Sequence, residues 1–287
     1  MISRRSFALG ASVAALVGPA ASKAAGESLA DIVGGVEKTI GCRFGVAVSG
    51  SFGQLAVRGD ERFPLCSTFK LLAAAAILKR VDEGRERLDR RVIFEAGSVV
   101  AASPVTSQHV GGQGMALAEI CEAAITRSDN TAGNLMLAAL GGPAGLTRFA
   151  RQIGDSVTRL DRIEPDLNEA IAGDPRDTTS PAAMLGNLRR LATGTVLSRT
   201  SRDQLCAWLG ANKTGDARLR AGFPHEWVIG DKTGTGENGA ACDVAIVWPP
   251  SREPVLITAY LTETSASLDD RNAAFASVAR WLATRLR

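Results

Sequence analysis

The chain has 287 residues, 45% of them hydrophobic and 22% charged, enough to bury a core and with no stretch biased towards disorder. Its formal charge of +3 belongs to the first 25 residues, where Arg4, Arg5 and Lys23 stand without an acid. The remainder is balanced, which argues against a nucleic-acid or anionic-membrane partner.

Residues 1–25 read as a leader. A twin arginine (Arg4, Arg5) precedes an Ala-rich run of about 14 residues, too short to span a bilayer. Small residues at Ser22 and Ala24 or Ala25 offer a cleavage site. The expectation is twin-arginine export to the periplasm or medium, and no other stretch is apolar enough to cross a membrane.

Taken in chain order, a helix is expected over 31–39 and strands over 43–48 and 54–57. Helices follow at 70–81, 116–127, 131–140, 143–153, 181–193 and 201–209, with Gly141-Gly142-Pro143 as a stop and a start. Strands return at 227–230, 243–248 and 255–260, and a last helix at about 269–286. Strands from both ends flanking a helical middle predict an α/β (α+β) fold: a five-stranded antiparallel sheet flanked by N- and C-terminal helices, plus an all-α domain. The expected division is 26–60 with 213–287 for the α/β domain and 61–212 for the all-α domain, the active site lying between them.

Two histidines, His109 and His225, form no H-x-H or H-E-x-x-H pattern, and five cysteines form no C-x-x-C. A metal site is therefore not expected, nor a Ser-His-Asp triad; any catalytic base is something other than histidine. Ser67-Thr68-Phe69-Lys70 stands where a loop enters a helix, and the three-residue spacing puts hydroxyl and amine on one face of its first turn. Free N–H groups at the helix start favour an oxyanion, and a lysine stripped of water can lose its proton and act as a base. A serine that merely caps a helix is the plainer alternative. Ser128-Asp129-Asn130 lies between two helices, where Asp129 or Asn130 could equally be a cap. Lys232-Thr233-Gly234-Thr235-Gly236 follows the strand around Val228 and Ile229, and alone would suit a glycine-rich hairpin turn.

Together, in this order, S-x-x-K, S-D-N and K-T-G resemble the set that marks class A serine β-lactamases and penicillin-binding proteins. The resemblance runs from about residue 27 to the end, through 61–64, 103–106 and 177–179. Arg162-Ile163-Glu164-Pro165-Asp166-Leu167-Asn168 is similar to the R-x-E-x-x-L-N loop of class A. The resemblance implies Ser67 as nucleophile, Lys70 or Glu164 as the base that takes the first proton, and Ser128 as proton donor to the departing nitrogen. It also implies a deacylating water held by Glu164 and Asn168, oxyanion donors from the N–H groups of Ser67 and Thr235, and substrate contacts from Asn130, Lys232, Thr233 and Gly234. Arg162 and Asp177 would pair to close the loop, and Pro165 makes a cis bond after Glu164 inexpensive. The implied activity is hydrolysis of penicillins and cephalosporins, with resistance to them, by a monomer that needs no cofactor. A D,D-peptidase and a non-catalytic β-lactam sensor are the rival readings.

Several positions depart from the family pattern. Ala241 occupies the strand position where many members carry a carboxylate-binding arginine, and Arg218 is the expected substitute, against the alternative of a merely solvated side chain. Cys121 faces Ala74 and Cys66 faces Gly236 where members have bridge partners, so neither familiar disulfide can form, and most cysteines are expected to be small buried hydrophobes. Ala102 replaces an aromatic at the mouth, which with Thr235 and Glu237 suggests a cephalosporin-tolerant site.

Overall fold

The computed structural model describes residues 27–286; the leader expected at 1–25 lies outside them. Helix α1 (Leu29–Ile40) opens on a capping box: Ser28 Oγ accepts from Asp31 N at 3.2 Å, while the Asp31 carboxylate accepts from Ser28 N at 2.9 Å. It ends at Gly41, whose φ of 56° suits a residue without Cβ. Strands β1 (Arg43–Gly50) and β2 (Gly53–Val57) form a hairpin. From the other end of the chain come β3 (Val228–Thr235), β4 (Ala241–Trp248) and β5 (Val255–Thr262). The five make one antiparallel sheet in the order β2-β1-β5-β4-β3.

Period-two alternation decides what each face of the sheet covers. Val46, Val48, Ala245, Val247, Ile257 and Ala259 pack with Leu29 and Val33 of α1 and Phe275, Val278 and Leu282 of α8 (Leu268–Arg285). Phe44 and Phe275 meet edge-on with centroids 5.5 Å apart, an arrangement that adds about 0.5–1.5 kcal/mol to the area buried. The opposite face, with Cys242, Val244, Ile246 and Tyr260, packs on the helical body.

That body is built around α2 (Phe69–Asp82), in which every residue from Phe69 to Leu78 is buried. The run Ala73–Ala76 keeps the helix slim, so α3 (Leu117–Thr126), α4 (Asn130–Leu140), α5 (Pro143–Gln152) and α7 (Arg199–Gly210) all reach it. A helix apolar on all sides belongs inside a core, and α2 lies there.

Two expectations are corrected. The helix expected over 181–193 is α6 (Pro181–Leu188), with Ser180 as N-cap, followed by a π-helical turn, Arg189–Thr193, in which Arg190 folds back over Gly154 and Gly186. The strand expected over 227–230 runs on to Thr235, so K-T-G does not follow it but is the second half of β3, with Lys232, Thr233 and Gly234 paired to Val244, Asp243 and Cys242. Gly234 serves close approach, not chain reversal.

Candidate active site

Ser67 lies in a short 3-10 turn, Cys66–Thr68, that leads into α2. Upstream, Phe63–Pro64 pairs with Thr178–Thr179, and Leu65 N donates to Asp177 O at 2.8 Å, so the turn is tied to the segment that closes the 161–177 loop. Lys70 Nζ donates to Ser67 Oγ, Ser128 O and Asn130 Oδ1, each at 2.8 Å, and sits 2.9 Å from Glu164 Oε1. Ser67 Oγ in turn is 3.3 Å from the same carboxylate oxygen. Burial pushes the Lys70 pKa below its ordinary value, with Glu164 pulling the other way.

The loop that carries Glu164 contains the expected cis Glu164–Pro165 bond. Arg162 Nε donates to Asp177 Oδ2 at 2.6 Å, and Asp177 Oδ1 accepts from Asp161 N and Arg162 N, which closes the neck as the resemblance implied. Both residues of that pair stand at the loop base and not in the cavity. Asn168 Nδ2 donates to Glu164 Oε2, while its Oδ1 is buried without a protein partner.

Between α3 and α4, Asp129 is the N-cap: its carboxylate accepts from Ala132 N (2.8 Å) and also from Val105 N, Thr106 N and Thr106 Oγ1. This pins the 103–106 segment and leaves Ser128, at a left-handed φ of 56°, facing the opposite wall. There Lys232 Nζ donates to Ser128 Oγ at 2.9 Å and to Thr233 O at 2.8 Å. Complete burial, aided by the nearby charge of Lys70, lowers the Lys232 pKa to about 7.

The β3 backbone presses directly on the nucleophile's turn. A Cβ added at Gly234 would stand 2.5 Å from Cys242 Sγ and 2.9 Å from both Cys66 Cβ and Ser67 N, and one at Gly236 would meet Asn168 O at 2.8 Å. Only glycine fits at either position. Arg218 is buried, not solvated, at 5% exposure. It donates to Gly234 O, Cys242 O and Thr235 Oγ1, each at 2.7 Å, and to Asn272 Oδ1 at 3.0 Å. A cavity of about 580 Å³ gathers Ser67, Ser128, Asn130, Asn168, Thr233, Thr235 and Arg218 on its walls.

The beta-lactamase enzyme family model matches residues 25–286. Among curated relatives, β-lactamase CTX-M-8 of Citrobacter amalonaticus is 43% identical, over 94% of this chain and 93% of its own. β-Lactamase AST-1 of Nocardia asteroides is 48% identical over 85% and 79%. Of solved structures, the ancestral (GNCA) class A β-lactamase superposes with a TM-score of 0.88 at 58% identity, covering 90% of this chain and 100% of that one. The chain belongs to the class A β-lactamases.

Within this class A frame, Ala241 is buried at the start of β4, and among the described residues the arginines on the cavity wall are Arg127 and Arg218, the latter arriving from the loop before residues 219–222. Ala102 adopts φ 57° and is exposed at the cavity mouth. All five cysteines are free; Cys66, Cys121 and Cys242 are buried, as small apolar residues would be, and Cys42 and Cys206 are half-buried.

Sequence reasoning missed three supports. Asn134 Oδ1 accepts from Glu164 N at 2.9 Å and its Nδ2 donates to Glu164 O at 3.0 Å, clamping that backbone from both sides. Its position one helical turn after Asn130 was the available signal. Thr214 bonds Thr233 Oγ1 at 2.5 Å, and Asn272 orients Arg218; both come from segments that no motif marks.

Proposed function

We propose that this β-lactamase opens penicillins and cephalosporins by acylating Ser67 and then releases the product with a water directed by Glu164 and Asn168. Hydrolysis of the β-lactam ring, and the resistance it confers, is the activity of the family to which the chain belongs. The observation that carries the mechanism is the contact of Lys70 Nζ with both Ser67 Oγ (2.8 Å) and Glu164 Oε1 (2.9 Å). Within hydrogen-bond reach of both, the amine links the nucleophile to the carboxylate, and either group can receive the hydroxyl proton.

Attack on the carbonyl places negative charge where the N–H groups of Ser67 and Thr235 converge; the close approach of Gly234 to Ser67 N supports that pairing. Loss of one such donor costs about 10²–10³ in turnover. Ser128, bonded to Lys232, passes a proton to the departing nitrogen, and Asn130 and Thr233 hold the rest of the substrate. Arg218, its fork already fixed beside Thr235, anchors the substrate carboxylate. In the acyl-enzyme, Glu164 polarises a water and the unpaired Asn168 Oδ1 accepts a hydrogen bond from it.

We further read residues 1–25 as a twin-arginine export signal and the mature protein as a periplasmic or secreted monomer. Among the described residues no helix is long and apolar enough to cross a membrane.

Mass spectrometry with a penicillin tests the mechanism. Rapid turnover by the wild type and a persistent adduct on Ser67 in Glu164→Ala are expected. A stable adduct on the wild type would favour a penicillin-binding enzyme instead.

A further inference from the structure

Cys66 and Cys242 are far apart in sequence and share one buried spot beneath the nucleophile's turn. Cys66 immediately precedes Ser67 and holds a left-handed φ of 41°. Cys242 lies on β4, opposite Gly234 in the ladder and on the sheet face that looks into the helical body. Its Sγ donates to Leu65 O at 3.3 Å, the carbonyl of the residue just before Cys66. The side chains also converge in space: a Cβ at Gly234 would touch Cys242 Sγ at 2.5 Å and Cys66 Cβ at 2.9 Å.

We propose that Cys66 and Cys242 are an oxidisable pair that closes to a disulfide by exchange with a small-molecule disulfide, joining the turn before Ser67 covalently to the strand beside Gly234 and Thr235. Bridge formation does not depend on turnover, so it stands or falls apart from the acylation mechanism.

Burial works against a thiolate at either sulfur, while the charges of Arg218 and Lys232 favour one at Cys242. One thiolate displaces a thiol from oxidised glutathione and forms a mixed disulfide; the other cysteine then attacks that protein sulfur and displaces the second. Two protein thiols are oxidised, one glutathione disulfide is reduced, and the two protons leave on the two glutathione thiols. Both sulfurs are almost wholly buried, so the exchange proceeds while the chain folds or while the turn is locally open.

The test uses the full chain, unfolded and reduced, then refolded in a mixture of oxidised and reduced glutathione. Free thiols are blocked, and the digest is mapped by mass spectrometry. The expected result is a peptide pair linked through Cys66 and Cys242, with Cys42, Cys121 and Cys206 blocked. Three titratable thiols should remain of the five, returning to five on reduction. The oxidised form should melt several degrees higher than the reduced form. Cys242→Ser and, separately, Cys66→Ser should abolish both the link and the oxidant-dependent shift. Five blocked thiols in the wild type, or a link from either cysteine to a different partner, would overturn the proposal.

Discussion

Lys70 Nζ and Glu164 Oε1 stand 2.9 Å apart with both side chains fully buried. Each charge would be costly there without the other. Burial alone lowers the Lys70 pKa, and Glu164 restores part of the loss. The pair therefore holds an amine whose proton is loosened beside the Ser67 hydroxyl.

Removing the amine should harm two things at once. In Lys70→Ala, acylation of Ser67 by a chromogenic cephalosporin is expected to slow by about 10²–10⁴. Glu164 would be left buried without its cation, and breaking a buried pair from one side costs about 3–5 kcal/mol. Stopped-flow acylation and urea unfolding measure the two effects separately.

Arg218→Ala is expected to raise KM for penicillins at least tenfold, in keeping with about 1.5–3 kcal/mol for a hydrogen bond to a charged group. Arg218→Lys should restore little of the affinity, because the three donors of an ammonium are already matched by Gly234 O, Cys242 O and Thr235 Oγ1, leaving none for a carboxylate. An unchanged KM in the alanine variant would remove Arg218 from the substrate site.

Asn134 touches no substrate-facing atom but grips Glu164 at both its N–H and its carbonyl. Asn134→Leu should leave those groups unsatisfied at a cost of about 1–3 kcal/mol. Deacylation is expected to slow more than acylation, for which Lys70 offers a second proton acceptor, so the acyl-enzyme accumulates. A rapid-quench experiment that finds both steps unchanged would show that the clamp has no bearing on the water-activating carboxylate.

Lys232 predicts a pH dependence. Its pKa is lowered to about 7 by burial and by Lys70, so the free enzyme carries this proton below about pH 7 and loses it above. If the charge helps to draw in the substrate carboxylate, kcat/KM should fall as pH rises through about 7. The fall should be weaker in kcat, because the bound carboxylate raises the pKa again. Lys232→Arg keeps its charge throughout and should flatten the alkaline limb. For stability the sign is opposite: the unfolded chain binds this proton up to about pH 10.5, so burying Lys232 costs most below pH 7, and the cost fades between the two values.

Much of this was legible because the chemistry is written in short local spacings. Ser67 and Lys70 share a face by helical geometry, and Glu164 and Asn168 fall in one loop whose neck pair, Arg162 and Asp177, carries opposite charge. Strands such as 255–260 announce themselves by apolar runs. What escaped was set by tertiary contact. The glycines after Lys232 look like a turn, yet Cys242 Sγ, Ser67 N and Asn168 O leave no room there for a Cβ. Arg218 looks like a surface residue, yet three backbone or hydroxyl oxygens and Asn272 satisfy it inside. Asn134 looks like an ordinary helical polar residue until the loop is laid against α4.

The sheet's central ladder pairs β1 with β5, and Arg43 meets Glu263 across 220 residues of sequence. The helical middle, with its many local contacts, can condense as soon as it has been synthesised. The ladder must wait for the last part of the chain, and pairings at such separation are slow to form. Ser67 thus rides on a helix that can be early, while Lys232 to Thr235 ride on a strand that must be late. The sequence separation makes the completed site one of the last features to form, and any catalysis in a refolding mixture should appear only after helical signal has already returned.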